Sequence, residues 1–392
     1  KVVNGMKTKR HDLIKNSNKT VFITTYGLMR EDIDYYEQIN YHAVILDEAQ
    51  NIKNPHAGIT KSSKRLKSFV KFALTGTPLE NSATELWSIF DFIMPGYLSK
   101  FDKFSSKYKV HEFDDKTNEL LDNLRKQISP FILRRKKNDV IKELPPKIEN
   151  NIFIDLSDEQ KKIYVAELDK VKSSIDEAMK DGGMSKVRFM ILPLLTKLRQ
   201  ICIDPRIVYT DYEGGSNKIE RFLSIVEELV NNNHKILVFT SFRTALNIVK
   251  VELESIGIKC YTMDGSVSSK ERMERVNSFN NSDDVKVFLI MLKSGGTGLN
   301  LASSDIVIHL DLWWNPQAEN QATDRAHRIG QTNTVEVIRL VSKGTIEEKV
   351  LDLQEKKKEL SEKLIDAESL DQNLIGELTE KDIKELLAYE NK

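Results

Sequence analysis

The chain has 392 residues and is electrically balanced, with 59 Lys and Arg against 59 Asp and Glu. This balance excludes a global attraction to nucleic acid, so any DNA affinity has to come from local groups. The length predicts two or three domains. The two cysteines, Cys202 and Cys260, lack metal-site spacing and are expected to be buried, reduced thiols. There is no apolar run of about 18 residues, so no membrane association is expected.

Residues 1–96 alternate between strand-like and helix-like segments. Strands are predicted at residues 20–25, 43–46 and 70–74, because these runs are apolar and rich in β-branched or aromatic residues. Strand and helix in alternation predict a parallel sheet with right-handed crossovers. Ligands bind beyond the carboxyl ends of such strands, which is where Asp47 and Thr75 fall.

Residues 97–143 are charged and helical in pattern, without a clear strand. Residues 144–148 contain Pro145 and Pro146 and are predicted to be a semi-rigid connector. A helical insertion is predicted over residues 149–215, where Ser157 and Gln160 fit a capping box. Interruptions are expected at Gly182–Gly183 and Pro193.

A second α/β domain is predicted over residues 216–350. Its strand candidates are residues 235–240, 285–291, 305–310 and 335–341, and its helix candidates are residues 241–256 and 269–279. Residues 351–392 are rich in Glu, Lys and Leu and predict a C-terminal helical segment with solvated charged faces.

Two motifs carry most of the chemistry. Asp47-Glu48-Ala49-Gln50 directly follows an apolar strand, the arrangement with which P-loop ATPases hold magnesium and position the attacking water. Arg325 and Arg328 are three residues apart, which predicts one face of a helix, and their planar cations suit a phosphoryl group in transfer. The motifs are 325 − 47 = 278 residues apart, so we expect them on two lobes facing one nucleotide.

The chain resembles the SWI/SNF family of helicase-like, double-stranded-DNA-dependent ATPases from about Val21 to its end. The resemblance is carried by six ordered motifs and an interlobe signature, at residues 47–54, 74–81, 132–135 with 144–147, 237–242, 263–266, 295–301 and 321–331. It implies an α/β fold of two RecA-like parallel-sheet lobes with helical insertions, the first lobe being truncated. It also implies ATP and Mg as cofactors.

The resemblance assigns roles to individual residues. Asp47 would bind Mg, and Glu48 would orient or deprotonate the attacking water. Arg325 and Arg328 would act as arginine fingers, whereas His327 is expected to be structural. ATP binding or coupling is implied for Gln50, Thr75, Gly76, Gln321 and Gln331.

DNA contact is implied for two groups of residues. The Gly-rich turn with Lys293, Gly295, Gly296 and Thr297 follows a strand and would bind a phosphate through backbone N–H groups. The other candidates are Thr24, Thr25 and Tyr26 in the first lobe and Ser241 and Phe242 in the second, each of which fits a cap or core position equally well. The basic run at residues 134–137 could contact DNA phosphates, pair with acidic residues or brace the lobe interface. For Trp313-Trp314, packing is preferred over a base-stacking role.

The 392 residues contain no Gly-x-x-x-x-Gly-Lys-Ser/Thr phosphate loop, the nearest imitation being Gly58 to Ser62. The chain is therefore expected to be the C-terminal part of a longer ATP-dependent double-stranded-DNA translocase or remodelling motor, and to be inactive alone. Expected partners are double-stranded DNA and a DNA-bound protein complex, with a monomeric state and a cytoplasmic, nucleoid-associated or nuclear location. The alternatives are an RNA or single-strand helicase and a non-catalytic DNA-binding module. Gln50 ends a motif that many RNA helicases end with Asp, as Asp-Glu-Ala-Asp. Thr75-Gly76-Thr77 stands where many RNA helicases have Ser-Ala-Thr. Both differences weakly favour the translocase.

Overall fold

The computed structural model describes residues 1–75, 83–108, 115–133, 135, 141, 143–292, 299–314, 316–363 and 387. Among these, residues 1–132 with Lys363 form one compact unit, and residues 133–362 with Leu387 form a second. None of the helices in the described ranges is both long enough and apolar enough to cross a bilayer.

Unit 1 contains a two-stranded parallel sheet surrounded by helices. The helices are α1 (Lys7–Lys15), α2 (Tyr26–Glu31), α3 (Ile33–Tyr36), α4 (Gly58–Arg65), α5 (Ala83–Ile93), α6 (Phe101–Lys107) and α7 (Asp115–Ile128), with 3-10 turns at Ala49–Ile52 and Ser129–Phe131. The strands are β1 (Asn40–Leu46) and β2 (Lys67–Ala73), paired in parallel with Leu46 opposite Ala73. These two strands and their parallel pairing confirm the sequence prediction.

The strand predicted at residues 20–25 is wrong. Within this stretch Ile23 forms a single parallel bridge with Val2, and the side chains of Val21 and Ile23 are 64% and 59% exposed. Thr25 already caps helix α2, since its hydroxyl accepts a hydrogen bond from the backbone N–H of Leu28. Because Thr25 is already the N-cap of α2, an extended strand cannot continue beyond Thr24.

Unit 2 is built on a six-stranded, all-parallel sheet of order β3-β8-β7-β4-β6-β5. Its strands are β3 (Lys147–Ile154), β4 (Ile236–Thr240), β5 (Cys260–Met263), β6 (Val287–Met291), β7 (Ile306–His309) and β8 (Val335–Ser342). Its helices are α8 (Asp158–Ile203), α9 (Asn217–Asn231), α10 (Arg243–Ser255), α11 (Ser269–Asn281), α12 (Pro316–Thr323) and α13 (Ile346–Lys363), with a 3-10 turn at Pro205–Ile207. The four strand candidates of the second domain are confirmed, and β4 and β7 are buried at every position, as expected for strands covered on both faces.

Strand β3 corrects the predicted connector and the start of the predicted helical insertion. Residues 147–154 pair in parallel with β8, from Lys147 opposite Val335 to Ile154 opposite Ser342. The carbonyls of Pro145 and Pro146 also accept hydrogen bonds from His327 Nε2 and the Val335 N–H, so this segment is bound to unit 2. The strand was missed because it is a largely exposed, polar edge strand without an apolar pattern.

Helix α8 is a second correction, because it runs unbroken for 46 residues through Gly182–Gly183 and Pro193. Side chains along its length, among them Val171, Ile191 and Leu198, lie fully buried in one apolar cluster with helix α13. This packing outweighs the poor helix propensity of glycine and proline. The capping prediction is half right, since Ser157 caps the helix but the Gln160 side chain donates to the carbonyls of Ile201 and Cys202 instead.

Candidate functional site

The acidic motif lies at the carboxyl edge of the sheet in unit 1. Backbone hydrogen bonds from Leu74 N to Leu46 O and from Ala49 N to Leu74 O, both 2.8 Å, continue the pairing of β1 and β2 past their ends. Parallel strands present their carboxyl ends at one edge, so Asp47 and Thr75 emerge side by side. The predicted juxtaposition of these two residues follows from the pairing.

Glu48 turns the chain immediately after β1. Its backbone is left-handed, with φ 52° and ψ 54°, a region that costs a non-glycine residue on the order of 1–3 kcal/mol. The following 3-10 turn is anchored by Ala49 and Ile52, both fully buried. This turn leaves Asp47 exposed, with its Oδ1 accepting a 3.0 Å hydrogen bond from the Glu48 N–H.

Gln50 connects the acidic turn to the end of β2. Its Nε2 donates to Glu48 Oε2 at 2.6 Å, and its Oε1 accepts from Thr75 Oγ1 at 2.8 Å. A movement of Thr75 would therefore be transmitted to the Glu48 carboxylate through one side-chain amide. Gly76, the next coupling candidate, lies outside the described residues.

Tyr26 belongs to the same edge, a connection that sequence reasoning did not find. Its hydroxyl donates to the backbone carbonyl of Asp47 at 2.8 Å. Burial, followed by the charges of Asp47 and Glu48, raises the pKa of Tyr26 to about 12, so the phenol stays a neutral donor. The other two residues of the predicted DNA-contact run have internal partners as well, since Thr24 donates to the Val3 carbonyl and Thr25 caps α2.

The donor set around Asp47 fits a magnesium ion shared with water and phosphate. Among the described residues, the Asp47 carboxylate accepts only the bond from Glu48 N–H. No group of three His, Cys, Asp or Glu side chains in that part of the chain could hold a metal by itself. A single exposed carboxylate completed by waters and phosphate oxygens is a common magnesium arrangement.

The arginine motif lies in unit 2 after helix α12, and the prediction of one helical face is wrong. The helix ends at Thr323 and residues 324–330 form turns. The Arg325 carbonyl accepts from the Leu301 N–H at 3.1 Å, and Gly330 has a φ of 100°. As a result Arg325 is 7% exposed whereas Arg328 lies on the surface.

Two neighbours of the arginines have structural contacts. His327 Nε2 lies 2.8 Å from the Pro145 carbonyl, in line with the expected structural role. The Gln331 side chain donates to the carbonyls of Ser304 and Ala326 and accepts from the N–H groups of Thr332 and Asn333. These bonds occupy the Gln331 amide, whose role in ATP binding or coupling stays a prediction, while Gln321 is partly exposed on α12.

The turn between β4 and α10 holds two further DNA-contact candidates, Ser241 and Phe242. Both are partly exposed, and the Ser241 N–H donates to Asp311 Oδ1 at 2.9 Å. Asp311 is itself paired with Arg199 at 2.9 Å, and both are buried. Sequence reasoning missed this pair, for which the only signal was a carboxylate within the otherwise apolar run after β7.

The tryptophans beside this turn support the packing interpretation. The rings of Trp313 and Trp314 lie 5.8 and 5.9 Å from the Arg199 guanidinium carbon, and Trp314 packs against the apolar cluster of α8 and α13. The Gly-rich turn with Lys293, Gly295, Gly296 and Thr297 lies outside the described residues, as do Arg134, Lys136 and Lys137. The proposed contacts of these residues stay predictions.

Two family profiles match the chain. The SNF2-related domain matches residues 2–207, and the helicase conserved C-terminal domain matches residues 217–330. The first match covers more than half of the chain and includes the acidic motif, and the second ends within the arginine motif. The first match also extends through helix α8, which belongs to unit 2.

Relatives match over nearly the whole chain. A Mycoplasma pneumoniae protein named "Uncharacterized ATP-dependent helicase" is 39% identical over 93% of this chain and 34% of its own length. The TATA-binding protein-associated factor mot1 of Schizosaccharomyces pombe is 32% identical over 92% of the chain and 22% of its own length. The chain thus spans about a third or less of these two relatives.

A solved structure of the Sulfolobus solfataricus SWI2/SNF2 ATPase core in complex with dsDNA is also similar. It is 35% identical with a TM-score of 0.53, and the match covers 100% of this chain and 81% of that one. A second structure, of the Sulfolobus solfataricus SWI2/SNF2 ATPase core domain, matches over 95% of this chain and 75% of that one, also with a TM-score of 0.53. Profiles, relatives and structures agree, and the chain belongs to the SNF2-related family of helicase-like ATPases.

Proposed function

We propose that these 392 residues form part of an ATP-dependent motor that moves along double-stranded DNA. The observation that carries the proposal is the hydrogen-bonded edge of unit 1, where Gln50 joins the Glu48 carboxylate to Thr75 beside the exposed Asp47. The edge supplies a metal-binding carboxylate, a second carboxylate for the attacking water, and a link through which hydrolysis can be coupled to movement.

Four residues of the chain would take different roles in ATP hydrolysis. Asp47 would hold magnesium, which when bound neutralises charge on the nucleotide phosphates. Glu48 would orient or deprotonate the attacking water, and its carboxylate accepts a hydrogen bond from the Gln50 amide. Arg325 and Arg328 would stabilise the transferred phosphoryl group, an effect worth roughly 10³–10⁵ in rate for arginine fingers.

Double-stranded DNA is the proposed track. A similar solved core is described in complex with dsDNA, and a neutral chain requires contacts made by local donors. The proposed donors are the Ser241–Phe242 turn, residues 24–26 and the Gly-rich turn at residues 293–297. A DNA-bound protein complex is the proposed target, and a monomer located with the DNA, in the nucleoid or nucleus, is the proposed working form.

The isolated 392-residue chain is proposed to be inactive as an ATPase because it contains no phosphate-cradling loop. The test compares ATP turnover by this chain with that of a longer protein joining it to a phosphate loop, each with and without duplex DNA. We expect turnover only in the longer protein and stimulation by the duplex. Clear hydrolysis by the purified 392-residue chain would contradict the first expectation.

The missing phosphate loop also favours one alternative, a DNA-binding module without catalysis. This module would bind duplex DNA with an affinity that ATP leaves unchanged, and the longer protein would show no turnover under any condition. Stimulation by single strands or RNA in preference to duplex would instead identify a helicase.

A further inference from the structure

The turn that joins β4 to α10 is hydrogen-bonded to one buried carboxylate, that of Asp311. Asp311 Oδ1 accepts hydrogen bonds from Thr240 Oγ1 at 2.8 Å and from the Ser241 N–H at 2.9 Å. Thr240 Oγ1 in turn lies 3.3 Å from the Phe242 N–H. Three consecutive residues of the turn are therefore positioned directly or indirectly by Asp311.

The charge of Asp311 is balanced by Arg199 from the long helix α8. Arg199 Nη2 donates to Asp311 Oδ2 at 2.9 Å and also to the Leu312 carbonyl. Both residues are 4% exposed. A buried carboxylate without a partner would be strongly unfavourable, so the guanidinium is what allows an acceptor to exist at this place.

Three aromatic rings lie close to the buried Arg199 guanidinium. The rings of Phe242, Trp313 and Trp314 lie 5.4, 5.8 and 5.9 Å from its central carbon, within the range of cation–π attraction. One of these rings belongs to the turn itself. The node formed by Arg199, Asp311 and these rings therefore joins α8, the segment after β7 and the β4–α10 turn.

The Ser241 hydroxyl takes no part in these hydrogen bonds. The Ser241 N–H is used by Asp311, whereas the hydroxyl makes no hydrogen bond with the described residues, and the side chain is partly exposed. A neutral hydroxyl on a fixed stretch of backbone is suited to donate to a nucleic-acid phosphate without reading base sequence. Its usefulness depends on the turn being fixed.

We propose that Asp311 is a positioning residue that fixes the Ser241–Phe242 turn for contact with the DNA backbone, with Arg199 as its buried counter-ion. This inference rests on the proposed binding of double-stranded DNA. Two buried residues of unit 2 would thus influence the affinity for DNA without contacting the DNA.

Two double variants isolate the hydrogen bonds of Asp311 from its charge. Arg199→Met with Asp311→Asn removes both charges but keeps an acceptor for Thr240 and Ser241, whereas Arg199→Met with Asp311→Ala removes the acceptor too. The measurement is the Kd of the 392-residue chain for a short fluorescein-labelled duplex at low salt. We expect the Asn form to bind nearly as the parent does and the Ala form to bind about tenfold more weakly, the effect of losing one hydrogen bond to a charged group.

Adding Ser241→Ala to each double variant distinguishes positioning from general damage. We expect it to weaken binding by the Asn form and to add nothing to the Ala form, because coupled residues are not additive. The matched control is Lys218→Met with Glu347→Gln, which removes another buried ion pair of unit 2 and should leave the effect of Ser241→Ala intact. The salt dependence should be unchanged throughout, since a neutral donor releases no counterion.

The outcomes are separable. Equal Kd values for the Asn and Ala forms, or an equal effect of Ser241→Ala in both, would overturn the positioning role while leaving DNA binding intact. A parent chain that fails to bind duplex at low salt would overturn the DNA proposal and this inference with it. Should the Ala form melt below the assay temperature, Thr240→Val provides the test, since it removes one donor to Asp311 with both charges still paired, and unchanged binding would contradict the role.

Discussion

Replacing Gln50 with Glu tests whether the acidic turn is held by the Gln50 amide. Gln50 Nε2 lies 2.6 Å from Glu48 Oε2, so the variant would set one carboxylate against another. Two unit charges at 2.6 Å repel by roughly 1.6 kcal/mol in water, by more where the effective dielectric constant is lower, and by less once the side chains rotate apart. The lost hydrogen bond to a charged acceptor contributes about 1.5–3 kcal/mol when buried, and less at these partly exposed positions.

We therefore expect Gln50→Glu to lower the free energy of unfolding of unit 1 by about 2 kcal/mol at low salt. Gln50→Met is the control without repulsion: it loses the bond to Glu48 and also the bond from Thr75, and should cost about 1 kcal/mol at either salt concentration. Hydrogen exchange of peptides covering residues 40–75, followed through a urea series, reports the stability of this edge. Raising the salt to about 1 M, where the Debye length is about 3 Å, should recover part of the loss in the Glu variant only. Equal losses in both variants at both salt concentrations would show that no charge repulsion arises between residues 48 and 50.

Three further predictions concern unit 2. Lys218→Met should destabilise it by about 3–5 kcal/mol in urea unfolding because the Glu347 carboxylate is left buried without its cation; a loss below about 1 kcal/mol would contradict this. Burial lowers the pKa of His309 to about 3, so its neutral form contributes stability that is complete above the unfolded value of about 6.5 and declines as the pH falls towards the folded value. His309→Gln should therefore flatten the loss of stability between pH 6.5 and about 4, and parallel pH profiles would argue against it. Gln331→Ala should lower Tm by several degrees, because the amide donates to the Ser304 carbonyl at 2.7 Å, whereas a residue that contacted phosphate alone would leave Tm unchanged.

The buried strands of the fold could be predicted from the sequence. Strands such as β4 and β7 are continuous apolar runs, and their burial on both faces is what the prediction of a parallel sheet requires. Strand β3 was not accessible, because a polar edge strand lacks that pattern and its pairing partner β8 is almost 190 residues away. The continuity of α8 through Pro193 depends on packing against α13, which no local rule contains.

The candidate site shows the same division. Asp47 and Thr75 could be placed together because the carboxyl ends of parallel strands meet at one edge, and the structure adds Gln50 as the link. The left-handed backbone of Glu48 has no signature in the sequence. Helical spacing failed for the arginine motif because long-range hydrogen bonds to Arg325 and His327 hold the segment in turns.

The ATPase rate of a longer protein that contains these residues and a phosphate loop shows whether they belong to a motor driven along duplex DNA. It would be measured with double-stranded DNA, with single strands and without nucleic acid, for the parent and for Arg328→Ala. We predict stimulation chiefly by the duplex and a loss of turnover by about 10³ or more in the variant. Turnover stimulated by single strands or RNA would identify a helicase, and a variant as active as the parent would rule out Arg328 as an arginine finger.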